Sequence, residues 1–336
     1  MSLISKIKNK ILNSSDMYNF YKKEYEQTGE KINSLEKKLK QHDKILNSYQ
    51  NLFNTIYIDY ELTPKGLLAG VQDICTELLI FVANICDKYE LDWWLDYGNL
   101  LGAVRHGNFV PWDDDMDIGM MREDYDKFIE AIHKEVEEKN IDFIDIRWRK
   151  REIDGKRTYS FIQIFLKIEG FNHTLAQVDV FPYDYIKDFT GEIKDYKGVD
   201  LNDIYFDSKI TMYRDLVNDV PLEKVYERYY DNLNLSHERE DYFVPGVEGS
   251  CGPKNLYKLM VLETDKVFPL GKVKFGDHEF PCPKDADYYL KSIYGNYMRI
   301  PKTVRGHGRL NRLRYDDIDF LNKCTEELHE FNSNFK

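Results

Sequence analysis

The sequence predicts an α+β fold, a mixed α/β arrangement of one sheet with flanking helices, preceded by a long coiled-coil helix. Apolar residues in the first 57 positions recur with a seven-residue period, which is typical of coiled coils. Strand and helix patterns are then mixed through the rest of the 336 residues, without an internal repeat. With 42% hydrophobic residues, the chain can bury a core. We therefore divide it into an oligomerisation arm, residues 1–57, and a globular domain, residues 58–336.

The heptad pattern of the arm is strongest in its second half. Its apolar members there are Ile32, Leu35, Leu39, Leu46, Tyr49, Phe53 and Ile56, and His42 occupies one polar d position. The stripe is narrow and its flanks are rich in Lys and Glu, which favours pairing with another copy over packing on the chain's own domain. We expect a parallel homo-oligomer, whose number of chains stays open between two and four.

The globular domain begins with a predicted helix. Thr63 and Pro64 have the residue types of a helix start, and a broad apolar stripe from Leu67 to Cys86 predicts a core helix. Strands are predicted at 91–96, 116–121, 143–146, 159–168 and 177–181, helices at 100–106, 124–136 and 285–294, and a two-residue hairpin at 273–280.

Composition narrows the class of protein. The net charge of −12 at pH 7 disfavours a nucleic-acid partner. The five cysteines are odd in number and lack CxxC spacing, so neither a disulfide framework nor a zinc finger is expected. We see no signal peptide and no apolar run long enough to span a bilayer, and we expect a cytoplasmic protein.

An acidic run carries the first sign of chemistry. Asp113, Asp115 and Asp117 are two residues apart, so on an extended chain their carboxylates lie on one side. Hard oxygen ligands at this spacing suit Mg²⁺ or Mn²⁺. Asp114 is expected to face away as a solvated or structural acid. The alternative to a metal site is that the acidic run is a surface turn, but Met116 and the other apolar flanking residues argue against it.

Two further features complete a pattern. Gly98 and Asn99 form a turn that opens a helix and can present backbone N–H groups to a phosphate. Asp179 lies between apolar residues of a predicted strand, where an acid is costly unless it is paired or metal-bound. The alternative is that Asp179 is a core residue held by hydrogen bonds. A DxD pair with a distant third acid is the layout of the nucleotidyltransferase fold.

The segment from Leu95 to Gly119 closely resembles the LicD family, which includes the fukutin and fukutin-related proteins. That family shares a "YGTLLGAxRH…PWDxDxD" signature, and Asn99 stands where it usually has Thr or Ser. The stretch from Val178 to Asp184 resembles its second acidic strand. Similar motifs continue in the same order as far as His307.

The resemblance implies an enzyme that cleaves a CDP-linked nucleotide donor and transfers its phosphoryl head group to a glycan acceptor. Phosphocholine is the head group expected for a bacterial member, with teichoic acid, lipopolysaccharide or capsule as acceptor. CDP-ribitol and CDP-glycerol are the alternatives within the family. Such a transfer reaction also fits a peripheral association of the protein with the inner face of the membrane. Two other classes stay open: a coiled-coil scaffold that binds a divalent cation, and a nucleotide transferase acting on tRNA or an antibiotic, which the acidic charge disfavours.

Roles follow for individual residues. We expect Mg²⁺ or Mn²⁺ on Asp115 and Asp117, with Asp113 as a further ligand, and Asp179 completing the metal site or acting as general base. The residues expected to bind substrate are Gly98, Asn99, Arg105, His106, Trp112, Arg305 and His307. Core packing is the expected role of most tryptophans, with a cation–π wall for choline as the alternative.

Overall fold

The chain is described from a computed structural model. It describes residues 3–56, 63–153, 156–167, 174–194, 198, 200–246, 248, 259–301, 313–314 and 317–335. The chain divides into two units, Met1–Glu61 with Arg299–Thr303, and Leu62–Met298 with Val304–Lys336.

The first unit is built on one helix, α1, Leu3–Ile56. Its apolar stripe faces solvent: Ile32, Leu35 and Leu39 are each more than half exposed. Near its end, Gln50 donates a hydrogen bond to the carbonyl of Ile300 at 2.7 Å, which ties the second segment of this unit to the helix. A long regular helix agrees with the heptad pattern, and its assembly with other copies stays a prediction.

The second unit begins with its central helix, α2, Leu67–Lys88. The predicted helix start at Thr63 and Pro64 is wrong, because Gly66, with φ of 66°, precedes the first helical residue. The predicted core role is confirmed, since the apolar face of α2 is fully buried. By length and apolar character alone α2 could cross a membrane, but most of it lies inside this unit, as in the core helix of a globular domain.

The sheet is mixed, which confirms the predicted fold class. Its strands are β1 Trp94–Leu95, β2 Met116–Met121, β3 Ile144–Ile153, β4 Lys156–Leu166, β5 Gln177–Ile186, β6 Leu235–Ser236, β7 Tyr242–Pro245 and β8 Leu262–Glu263. The main path is β1-β2-β5-β4-β3, in which β2 and β5 are parallel and the other neighbours antiparallel. β6 and β7 pair with the second half of β5, and β8 pairs with β7.

Helices and a hairpin surround this sheet. The helices are α3 Tyr97–His106, α4 Arg122–Glu138, α5 Leu201–Val217, α6 Leu222–Leu233, α7 Thr264–Val267, α8 Ala286–Tyr294 and α9 Ile318–Ser333. The hairpin joins β9 Gly271–Phe275 to β10 His278–Cys282 through two residues, as predicted. α9 packs on α2 and closes the core on that side.

Strand β5 continues five residues beyond its predicted end at Phe181, through Pro182. Proline cannot donate a ladder hydrogen bond and normally ends a central strand. Here β5 pairs with β4 as far as Val180 and with β7 from Tyr183 onward. The missing N–H of Pro182 therefore falls where the strand changes partner from β4 to β7.

A buried ion pair network lies at the end of β5 away from Asp179. Arg122, the first residue of α4, donates to Asp184 at 2.8 and 2.9 Å and to Glu248 at 2.7 and 2.8 Å. Tyr230 also donates to Asp184, and Tyr226 to Glu248. One guanidinium thus joins α4, β5, α6 and the chain that follows β7.

Arg122→Met should lower the free energy of unfolding by about 3–5 kcal/mol, because Asp184 and Glu248 would stay buried without their cation. Chemical denaturation followed by circular dichroism measures this loss. The control is Lys127→Met, which removes an exposed ion pair with Glu123 and should change the free energy of unfolding very little. Equal losses in the two variants would contradict the assignment.

Candidate active site

Two acidic strands meet at the centre of the sheet. Asp117 is the second residue of β2 and Asp179 the third of β5, and the parallel register pairs them directly. Paired residues of neighbouring strands project from the same face of a sheet, so the two carboxylates share one face. The structure therefore brings together the DxD motif and the distant third acid predicted from sequence.

The other acids of the run precede β2 in a loop. Ligand atoms of Asp113, Asp114 and Asp115 all lie within 4.8 Å of one another, a set that does not include Asp117. The predicted orientation of Asp114 is wrong: its side chain is 2% exposed and belongs to this group. The alternation of side chains between the two faces of a strand does not apply to residues 113–115, because β2 begins only at Met116.

Helix α2 holds this acidic loop from behind. The side-chain amide of Gln72 donates to the carbonyl of Asp113 at 2.8 Å, and the thiol of Cys75 donates to the carbonyl of Asp114 at 3.7 Å. The backbone of the loop is thereby bound to the domain core.

Burial and the repulsion between carboxylates both disfavour ionisation in this cluster. Burial raises the pKa of Asp117 well above its usual value, and the charges of Asp115, Asp179, Asp113 and Asp96 raise it further. Several carboxylates held this close favour a divalent cation, and an all-oxygen donor set suits Mg²⁺ or Mn²⁺. The residues present therefore fit the expected metal.

The start of α3 supports the acids. The side chain of Asn99, 1% exposed, donates to the carbonyl of Asp115 at 3.2 Å and accepts from the backbone N–H of Asp117. At Gly98, a Cβ atom would lie 2.5 Å from Oδ2 of Asp113, so a larger residue here would displace that carboxylate. These contacts position the acids, and substrate binding by Gly98 and Asn99 stays a prediction.

Asp96 is a site residue that the sequence analysis missed. It is fully buried, and its carboxylate accepts from the backbone N–H of Tyr97 at 2.7 Å, from Tyr183 at 2.5 Å and from Tyr289 at 2.9 Å. Burial raises its pKa to about 6, while these hydrogen bonds oppose the shift. An acid between the apolar Leu95 and a helix start was the available signal, since Asp is a preferred N-cap residue.

Asp179 is held by two buried glutamines. Gln163 of β4 and Gln177 of β5 both donate to its Oδ1, at 2.7 and 2.9 Å. The hydrogen-bonded arrangement left open by the sequence is therefore present. Asp179 also lies beside Asp117. Its role as metal ligand or general base stays a prediction.

Arg105 and His106 interact with each other at the end of α3. Nε of Arg105 donates to Nε2 of His106 at 2.9 Å, and Nη1 donates to the carbonyl of Tyr297 at 2.7 Å. Burial and the charge of Arg105 lower the pKa of His106 to about 4. His106 is therefore uncharged at neutral pH, and its observed contact orients the guanidinium.

The remaining predicted residues are considered in turn by their position in the chain. Trp112 is half-buried, immediately before the acidic loop. Trp93 and Trp94 belong to the core, as expected, and Trp148 is 37% exposed on β3. Arg305 and His307 lie outside the described residues, as does Cys251.

A separate apolar cavity of about 240 Å³ lies between α9 and the edge formed by β3 and β4. Its lining includes Phe143, Leu166, Phe320 and Leu328. It shares no residue with the acidic cluster, so we assign the candidate active site to the cluster on its chemistry.

Residues 90–221 match the family model described as LicD/FKTN/FKRP, nucleotidyltransferase domain. This segment contains α3, the acidic loop and both acidic strands. This segment is similar to the LicD/FKTN/FKRP nucleotidyltransferase domain. The resemblance inferred from the sequence motifs is confirmed.

Similarity to individual relatives is confined to short segments. The lipopolysaccharide cholinephosphotransferase LicD of Haemophilus influenzae is 36% identical over 74 residues, 22% of this chain and 28% of that protein. The human ribitol 5-phosphate transferase FKRP is 43% identical over 62 residues, 18% of this chain and 12% of its own length. The uncharacterized protein RP689 of Rickettsia prowazekii is 54% identical over 76 residues, 22% of this chain and 29% of that protein. These matches span less than a third of each relative.

Asp117→Asn should raise the melting temperature of the protein in EDTA at neutral pH. The pKa of Asp117 is raised above its unfolded value of 3.8, so its ionisation opposes folding at any pH above that value. Below about pH 4 the acid is protonated in both states, and the gain should vanish. Differential scanning fluorimetry at the two pH values measures the change.

The matched control is Asp142→Asn, which neutralises an exposed acid on the loop before β3. It should leave the melting temperature almost unchanged at both pH values. An Asp117→Asn protein that is no more stable than this control at neutral pH would show that the cluster is not repulsive.

Proposed function

We propose that the protein is a metal-dependent phosphotransferase that moves a phosphate-linked head group from a CDP-linked donor to a glycan. The observation that carries this proposal is the pairing of Asp117 with Asp179 beside the acidic loop, inside the family-matched segment. The family and its relatives support a transferase of phosphate-linked groups, named for choline phosphate in one relative and ribitol 5-phosphate in another.

Phosphocholine is the head group we favour. The relative that carries this activity in its name shares the longer of the two aligned segments, although at lower identity. Trp112 is the half-buried tryptophan directly before the acidic loop, and an aromatic face there suits a quaternary ammonium group. Ribitol phosphate and glycerol phosphate are the alternatives that the donor assay below separates.

Four side chains have a role in the proposed reaction: Asp115, Asp117, Asp179 and Arg105. Mg²⁺ or Mn²⁺ held by Asp115 and Asp117 would neutralise donor phosphate oxygens and lower the pKa of the acceptor hydroxyl. Asp179, kept in place by Gln163 and Gln177, is suited to accept the proton of that hydroxyl. Arg105 supplies a fixed positive charge.

The decisive experiment offers the protein CDP-choline, CDP-ethanolamine, CDP-glycerol, CDP-ribitol and GDP-mannose with Mg²⁺ and measures released nucleoside monophosphate. Asp117→Ala should abolish release from the preferred donor, since it removes a metal ligand. Asp179→Asn should lower kcat by about 10²-fold or more, the usual contribution of a general base. Asp142→Asn should behave as the unaltered protein.

Other outcomes point to other functions. Release that is equal in EDTA and in Mg²⁺ would remove the metal from the mechanism. A near-normal rate in Asp179→Asn with a lowered melting temperature would make that residue structural. Metal binding without release from any donor would favour a non-catalytic scaffold.

We also propose that α1 assembles the chain into a parallel homo-oligomer. Its exposed stripe of Leu, Ile and aromatic side chains has the pattern of a coiled-coil seam. Several catalytic domains on one assembly would engage a polymeric or membrane-linked acceptor more tightly through multivalency.

Leu39→Glu combined with Leu46→Glu should reduce the assembly to monomers, because both residues occupy a positions of the seam. Size-exclusion chromatography with light scattering measures the mass. The control, Lys37→Glu with Lys44→Glu, changes charge at the outermost heptad position and should keep the oligomer. An unchanged mass in the leucine variant would show that association does not run through α1.

A further inference from the structure

Strands β3 and β4 continue as a two-stranded ribbon where their contact with the rest of the sheet ends. β4 pairs with β5 only over residues 162–165, whereas its pairing with β3 continues to Lys156. Residues 156–161 of β4 and their partners on β3 therefore have no third strand beside them in the part of the chain that the structure describes. We call residues 147–153 and 156–161 the β3–β4 ribbon.

The β3–β4 ribbon is basic in an acidic chain. From position 147 to position 157, six residues are basic and two are acidic, although the whole chain has a net charge of −12. The basic residues are Arg147, Arg149, Lys150, Arg151, Lys156 and Arg157. A local cluster whose charge is opposite to that of the whole molecule favours contact with an anionic surface through that cluster.

Trp148 lies within this basic run. Its side chain is 37% exposed, which makes it the most exposed of the four tryptophans, and its neighbours Arg147 and Arg149 are exposed as well. Arg147 forms an ion pair with Asp145, and its guanidinium lies over the ring of Phe165 at 5.1 Å. Tryptophan together with basic residues is typical of protein surfaces that lie at the level of lipid head groups.

We propose that the β3–β4 ribbon binds an anionic membrane surface, with its basic residues on lipid phosphates and Trp148 at the level of the head groups. A planar surface has to meet only the ribbon. A nucleic acid long enough to contact six cations would also approach the acidic remainder of the domain, which would repel it. This inference does not depend on the identity of the nucleotide donor or of the transferred group.

The test is co-sedimentation of the full chain with vesicles of phosphatidylcholine alone or with about 30% phosphatidylglycerol. The unaltered protein should sediment only with the anionic vesicles, and less so in about 0.5 M NaCl, because salt screens ionic contacts. The variant Arg149→Gln, Lys150→Gln and Arg151→Gln should bind them about 100-fold more weakly, since each cation near an anionic surface contributes about fivefold.

The matched control removes three exposed cations elsewhere, through Lys272→Gln, Lys274→Gln and Lys284→Gln. It has the same net charge as the ribbon variant and should bind like the unaltered protein. Helix α1 is present in every variant, so any contribution that it makes to binding is the same in all of them. Equal affinity of the ribbon variant and this control for anionic vesicles would overturn the proposal.

Tryptophan fluorescence tests the second contact without removing any charge. Emission of the unaltered protein should shift to shorter wavelength on anionic vesicles, and Trp148→Phe should abolish that shift while keeping the ribbon cations. Equal sedimentation with both kinds of vesicle would contradict an ionic contact. Binding to soluble polyphosphate with no change in emission on vesicles would also overturn the proposal, and would assign the ribbon to a soluble polyanion.

Discussion

The parallel pairing of β2 with β5 is the interaction on which the site depends. It joins two stretches of chain 62 positions apart and sets Asp117 beside Asp179 in the interior of the sheet. This arrangement is unfavourable by itself, because two neighbouring carboxylates repel each other and oppose folding. The stabilisation comes from around them: apolar residues on the opposite face of both strands, two glutamines on Asp179, and Asn99 on the backbone of β2.

Local patterns in the sequence were sufficient to predict much of the fold and of the candidate site. The span of β2, the two-residue hairpin and the end of α8 at Gly295 each depend on neighbouring residues, and all were predicted. Asp113 to Asp117 were recognised from spacing and from the family signature. What failed was the side on which Asp114 lies, because alternation holds only within a strand and the strand starts later.

Long-range contacts account for what the sequence did not reveal. Asp96 has an ordinary N-cap pattern, and its partners Tyr183 and Tyr289 follow 87 and 193 positions later. The continuation of β5 through Pro182 depends on the change of partner from β4 to β7, which no local pattern contains. Arg105 looked like a phosphate ligand from its position. Only the fold shows that His106 and Tyr297 accept hydrogen bonds from two of its nitrogens.

The hydrogen bonds of Asp96 also bear on where the autonomous folding unit ends. The family-matched segment stops at residue 221, yet Tyr289 comes from beyond it, and α2 and α9, which close the core, lie on either side. A polypeptide cut at the limits of the match would expose the apolar face of the sheet and leave a buried carboxyl short of donors. Exchange of this domain between relatives, by recombination or by design, therefore has to carry both flanks along with the motif.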